Sequence, residues 1–268
     1  MSVITLTTDF GIQDEYAGIM KGVILSIDPS AVIVDISHQV DPQDLIQAAY
    51  MIKSSYKYFP EDTVHVIVVD PGVGTSRFVL AFEKSNHIFI APNNGVLTLL
   101  MEDNEISSVI KVENSKYFLE PVSNTFHGRD IFAPVAAHLS AGVKIDQLGQ
   151  PADPESLVYL EIEKPCLLEN GELAGSIVSI DRFGNLITNI DLKLFKKFCL
   201  PGTEKKIQVK IGKYQLSGLS NNYQTAIPGE PLAITGSRGY IELAVNTGSA
   251  KEYFNAEKGD AVQVFLSD

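Results

Sequence analysis

Four segments of this chain hold residue types that can do chemistry. In Asp70-Pro71-Gly72-Val73-Gly74-Thr75-Ser76-Arg77, two glycines lie between a carboxylate and a guanidinium. Glycine tolerates positive φ, so such a segment can bring its backbone close to a ligand. It lacks the Gly-Lys-Ser/Thr ending of a phosphate loop, and Arg77 stands where a dinucleotide fingerprint needs its third glycine. The alternative is a tight turn in which Asp70 and Arg77 pair only with each other. Thr125-Phe126-His127-Gly128-Arg129-Asp130 places an imidazole in a loop before a helical pattern, suited either to ligand contact or to a structural role. Asp181-Arg182-Phe183-Gly184-Asn185 offers an aromatic platform for a flat base with Asn185 to bond its edge, or else a β-turn with a buried Phe. Ser237-Arg238-Gly239 sets a hydroxyl beside a planar guanidinium fork that fits a carboxylate, or forms a hairpin with a solvated Arg.

The elements around these segments suggest how they are held. Val3–Thr7 reads as a strand that ends at Thr8 and Asp9. Tyr16, Ile19, Met20, Val23, Ile24 and Ile27 then recur at helical spacing until Asp28-Pro29. Val32–Ile36 is the next strand, and Asp41-Pro42 opens a second helix as a capping carboxylate followed by proline. Val64–Val69 is apolar on both faces, like a central strand of a parallel sheet. His87–Ala91 is a further strand and Ile131–Ala141 a further helix. Strands alternating with helices predict a mostly parallel α/β sheet, whose ligands bind beyond the carboxyl ends of its strands. That rule gathers Asp9, His38, Asp70 and Asn93-Asn94 on one rim.

Beyond Glu155 the pattern changes. Leu173–Ile180, Leu186–Ile190, Ile207–Ile211, Leu232–Ile234, Tyr240–Val245 and Ala261–Phe265 read as strands, separated by turns such as Pro201-Gly202 and Glu257-Lys258-Gly259. The expectation is an α/β domain over residues 1–155 and a small antiparallel β-barrel domain over 165–268, with the boundary within 150–170. The formal net charge of -12 and the lack of a Lys/Arg cluster argue against nucleic acid. No basic-then-apolar leader opens the chain, and no apolar run nears the roughly 20 residues that cross a bilayer. Five scattered His without an HExxH pattern, and two cysteines without metal spacing, predict no metal site. A cytoplasmic protein is the simplest expectation.

Taken together, six segments resemble one family. They are Thr7-Thr8-Asp9-Phe10-Gly11, Val68-Val69-Asp70-Pro71-Gly72-Val73-Gly74, Ala91-Pro92-Asn93-Asn94-Gly95, Thr125-Phe126-His127-Gly128-Arg129-Asp130, Phe183-Gly184-Asn185 with Ile187-Thr188-Asn189-Ile190, and Ser237-Arg238-Gly239. They look like the SAM hydroxide adenosyltransferases, adenosine-forming S-adenosyl-L-methionine (SAM) hydrolases related to fluorinase and chlorinase. The resemblance implies a Rossmann-like N-terminal domain, a C-terminal β-barrel, and a homotrimer with each site at a subunit interface. It implies that Asp70, Arg77 and His127 position and deprotonate a water. Asp9 would hold the ribose hydroxyls, Asn94 and Thr125 would lie near the ribose and reacting carbon, and Phe126 would be a further substrate-binding residue. Phe183 and Asn185 would contact adenine; Asp181, Ser237 and Arg238 would hold the methionine amino and carboxylate groups. The halogenases space the acid at Asp181 differently from the Phe-Gly-Asn, and they lack the Asp-Arg-His set. The implied reaction is attack of water at ribose C5′, giving adenosine and L-methionine, with SAM as substrate and no cofactor. Halogenase-type substitution in the same pocket and non-catalytic sensing of SAM or adenosine are the competing readings. A pure binder has no need to activate water.

Overall fold

A computed structural model describes residues 2–102, 108–199 and 206–267. The chain divides into two compact units, Met1–Glu161 and Ile162–Asp268.

The first unit contains β1 (Val3–Thr8), α1 (Tyr16–Ile27), β2 (Val32–Ser37), α2 (Leu45–Ser55), β3 (Val64–Val68), β4 (Val79–Lys84), β5 (His87–Pro92), α3 (Thr98–Met101), β6 (Val109–Val112) and α4 (Ala133–Ser140). Its sheet runs β2-β1-β3-β5-β4-β6. The first four of these pair in parallel, while β4 pairs antiparallel with both β5 and β6. Alternate side chains of each strand serve opposite faces. Ile4, Leu6, Val66 and Val68 pack with Met20 and Ile24 of α1 and Val135 and Ala136 of α4. Ile67, Phe82 and Phe89 pack on the other face with Ala48 and Ile52 of α2 and Leu100 of α3. With both faces covered, the central strands are mostly apolar, and β3 is buried along its whole length.

Three local expectations are corrected. Asp41-Pro42 does not open α2: Gln43 takes a φ of 65°, which breaks a helical start, and Asp44 is the cap, accepting Gln47 N at 2.8 Å. Between the third and fourth expected strands the chain inserts β4, joined to β5 by Ser85 and Asn86, both at positive φ as a tight hairpin requires. The helix expected from Ile131 begins with one wide π turn, Gly128–Phe132, before α4.

The second unit contains β7 (Cys166–Leu167), β8 (Leu173–Ile180), β9 (Leu186–Asp191), α5 (Leu192–Phe198), β10 (Ile207–Ile211), β11 (Tyr214–Ser217), β12 (Pro231–Thr235), β13 (Tyr240–Val245), α6 (Ala250–Phe254) and β14 (Ala261–Leu266). The strands are antiparallel in the order β11-β10-β14-β8-β9-β13-β12, with β7 on β8. A bridge from Ser220 to Ile234 of β12 nearly closes the sheet into a barrel. Ile177, Leu186, Val209, Ile241, Leu243 and Val264 fill it. A turn forms at Glu257-Lys258-Gly259, whereas Pro201-Gly202 lies outside the described residues.

Candidate active site

In the first unit, Asp9 follows β1 and Asp70 lies just beyond β3, at the carboxyl ends of neighbouring parallel strands. Arg77 returns on the far side of the glycine turn. Its Nε donates to Asp70 Oδ1 at 2.8 Å, and its terminal nitrogen donates to Asp70 Oδ2. The same nitrogen lies 2.9 Å from His127 Nδ1. One guanidinium therefore ties together a carboxylate and an imidazole that lie far apart in the chain. Gly74 makes the approach possible: a Cβ there would fall 2.1 Å from the Asn124 carbonyl oxygen, and its φ of +77° suits glycine. The turn carrying Asp70 and Arg77 is thereby pressed against the loop that leads into His127.

A cavity of about 460 Å³ opens beside this cluster, lined by Asp70 and His127, by Asp9, Ser123 and Thr125, and by an aromatic wall. The wall is a triangle of Phe10, Tyr16 and Phe126 with ring centroids 5.1–6.0 Å apart. Tilted and edge-on contacts are the arrangements that aromatic pairs favour. Asp9 is already partly engaged, since its Oδ2 accepts Gln43 N at 2.9 Å. Asp130 is buried under the loop and accepts from Ser123 N and the Arg129 guanidinium, so it anchors the segment before His127. Burial, and after it the Arg77 charge, hold His127 below the ordinary imidazole range, against the opposing pull of Asp70 and Asp130.

The rim expected from four strand ends is only half realised. His38 turns to Thr8, with Nδ1 2.9 Å from its hydroxyl. Asn93 staples the chain to Ser156 and Val158, and Asn94 to Val69 and Val96. His38 thus engages a hydroxyl and the two asparagines engage backbone groups, and none of the three lines the cavity. Conversely, Tyr16 read in the sequence only as one apolar position of a helix, yet its ring faces the cavity. Its position next to the unpatterned loop 9–15 was the available signal.

The second unit has its own pocket, of about 780 Å³, lined by Asp181, Phe183, Asn185, Ser237 and Arg238, all five singled out from the sequence, together with Tyr223 and Glu242, which were not. Asp181 builds the turn: Oδ1 accepts both Phe183 N and Asn185 N at 2.9 Å, and Oδ2 accepts Asn185 Nδ2 at 3.0 Å. That turn leaves Phe183 77% exposed, which removes the reading of a buried structural Phe. Arg238 stands half-buried in the hairpin between β12 and β13. Among the described residues no group of three His, Cys, Asp or Glu is placed to hold a metal ion.

The profile of the SAM hydroxide adenosyltransferase N-terminal domain matches residues 4–149, and that of the C-terminal domain matches residues 175–263. The chain belongs to the SAM hydroxide adenosyltransferase family. It is 33% identical to an (R)-S-adenosyl-L-methionine hydrolase of Thermus thermophilus, across 98% of this chain and 100% of that one. It is 30% identical to a fluorinase of an Actinoplanes species, across 98% and 97%. A crystal structure of an uncharacterized conserved protein from Thermotoga maritima superposes with a TM-score of 0.90 at 35% identity, covering 98% of this chain and 99% of that one. SAM hydroxide adenosyltransferases thus have relatives bearing two activity names.

Proposed function

We propose that this chain hydrolyses SAM to adenosine and L-methionine by attack of water at ribose C5′. The observation that carries the reading is the Asp70–Arg77–His127 cluster at the wall of a cavity that also presents Asp9 and an aromatic surface. The sulfonium sulfur leaves as a neutral thioether and needs no acid, so the demand falls on the nucleophile. Water is weak and hydroxide scarce at neutral pH; a positioned base is worth roughly 10²–10⁴-fold.

Arginine has only donors, so His127 Nδ1 accepts from Arg77 and the neutral ring carries its proton on Nε2. His127 then donates to a water oxygen and aims it, while Asp70, whose oxygens keep lone pairs beyond the Arg77 bonds, takes the departing proton. As the O–C5′ bond forms and the C5′–S bond breaks, the electron pair goes to sulfur. Holding water and C5′ in line removes much of the entropic part of the barrier. An ionised Asp70 also repels a halide from the same position, which favours water over halogenation.

In this proposal Asp9 holds the ribose hydroxyls, and Thr125 and Phe126 lie near the reacting carbon. Phe183 stacks on adenine. Asn185 has Nδ2 committed to Asp181, so it offers its carbonyl oxygen to the base's amine edge. Asp181, Ser237 and Arg238 serve the polar end of methionine. Asn94 takes part only through its hold on Val69, next to Asp70. We propose further a cytoplasmic homotrimer with each site at a subunit interface, needing no cofactor besides the substrate. The test is product analysis after incubation with SAM and excess chloride or fluoride. Adenosine alone is expected; a 5′-halogenated nucleoside would overturn the choice of water.

A further inference from the structure

His38, one of the residues expected on the rim, is buried just after β2 and has no part in the assignments above. Its Nδ1 lies 2.9 Å from the Thr8 hydroxyl. Its Nε2 lies 3.0 Å from Asp35 Oδ1, a contact bent away from hydrogen-bond alignment. Lys21 of α1 donates to the other oxygen of Asp35 at 2.5 Å. Burial works against the charge on Asp35, but Lys21 and His38 hold its carboxyl below the ordinary range. A carboxylate only accepts, so the ring turns its Nε2–H toward Asp35 and leaves Nδ1 to accept from Thr8. The Thr8 oxygen in turn accepts Phe10 N at 3.3 Å.

Hydroxyl, imidazole and carboxylate stand here in the order of a nucleophilic triad. Thr8 is wholly buried, however, so no substrate reaches its oxygen, and what this chain of contacts can do is hold the loop. The backbone acts on the same loop: the His38 carbonyl accepts Gly11 N at 2.7 Å, and the Thr8 carbonyl accepts Val40 N at 3.3 Å. Between these fastenings lie Asp9 and Phe10, both of which line the cavity. Gln43 N takes one oxygen of Asp9, and the aim of the other follows from where the loop stands.

We propose that His38 is a positioning residue: through Thr8 it fixes the loop 8–11, so that Asp9 and Phe10 meet the nucleoside in one arrangement. The proposal rests on the cavity taking the nucleoside part of SAM. Asp70, Arg77 and His127 stand on other loops. His38 therefore governs how tightly substrate is held and leaves the activation of water alone.

Steady-state hydrolysis of SAM and calorimetric titration with adenosine, both on the full chain, test this. In His38→Gln the amide reaches toward Asp35 but past Thr8, and in Thr8→Val the hydroxyl is gone. Both are expected to raise KM and weaken adenosine binding about 10-fold, with kcat within about 3-fold of the wild type. The double variant is expected to be no worse than either single one, since both break the same link. In His38→Asn the amide falls where Nδ1 stands, so KM and adenosine affinity are expected to return to within about 2-fold of the wild type. Thr8→Val keeps the shape of its side chain, so it carries the test where a change at His38 impairs folding. A residue that served stability alone would lower the melting temperature without the split between KM and kcat and without the difference between Asn and Gln. Unchanged KM in His38→Gln and Thr8→Val, or equal losses in His38→Asn and His38→Gln, would overturn the positioning role while leaving SAM hydrolysis intact. A wild type that binds neither SAM nor adenosine would overturn the reading of the cavity as well.

Discussion

Asp70→Asn keeps the shape and the Arg77 contact but removes the charge that takes a proton. Turnover is expected to fall roughly 10²–10⁴-fold with SAM affinity changed only a few-fold, read as single-turnover rate against calorimetric affinity. Loss of affinity in place of rate would reassign Asp70 to substrate binding. At this scale the placement was partly legible: Asp70, His127, Phe183 and Arg238 stand in short runs with glycine and polar neighbours that also allowed structural roles, and each now lines a cavity. Glu242 and Tyr223 were not. Glu242 occupies an ordinary outward position in an alternating strand, and only the fold buries it. The function of Arg77 was also ambiguous from spacing alone; the decisive fact, that one of its nitrogens reaches both Asp70 and His127, depends on residues 50 positions apart.

At the scale of elements, the site depends on two loops held together at Gly74. Gly74→Ala adds a clash with the Asn124 carbonyl and asks a side chain to adopt a φ of +77°. It is expected to cost about 1–3 kcal/mol of stability. Turnover should fall with it, because the displaced loop carries Thr125 and His127; denaturant unfolding and a rate measurement together check this. A stable variant with full activity would show that the two loops need not touch. The elements themselves were read well where periodicity is long, as in α1 and β8. They were missed where turn chemistry decides: β4 hides in a hairpin closed by Ser85 and Asn86, and the cap of α2 moved from Asp41 to Asp44 because Gln43 adopts positive φ.

For the whole molecule, the sheet of the first unit encloses a feature that no function absorbs. His65 lies fully buried on β3, with Nδ1 2.7 Å from the Thr5 hydroxyl and Nε2 3.2 Å from His87 Nδ1, stacked on Phe89. Burial, helped by His87, pulls His65 down to about 3. The unfolded chain takes up this proton below its ordinary value of 6.5, whereas the folded chain refuses it until about 3. Stability from this source is therefore fully present above 6.5 and is lost as pH falls toward 3. In His65→Gln, unfolding free energy is expected to fall less steeply over that window, by ~1.4 kcal/mol per pH unit. Equal slopes in denaturant titrations at several pH values would place the acid sensitivity elsewhere. The change from α/β patterning to short strands was visible in composition. A small β-barrel was expected from those strands and is found; the particular bridge that nearly closes it, Ser220 to Ile234, was not legible, since it depends on long-range pairing.

In the proposed reaction the oxygen gained by the nucleoside comes from solvent water attacking ribose C5′. Incubating the enzyme with SAM in water enriched in the heavy oxygen isotope, then weighing both products by mass spectrometry, tests it most directly. One heavy oxygen is expected in the 5′-hydroxyl of adenosine and none in methionine. Adenosine without the label, or label carried into methionine instead, would contradict it.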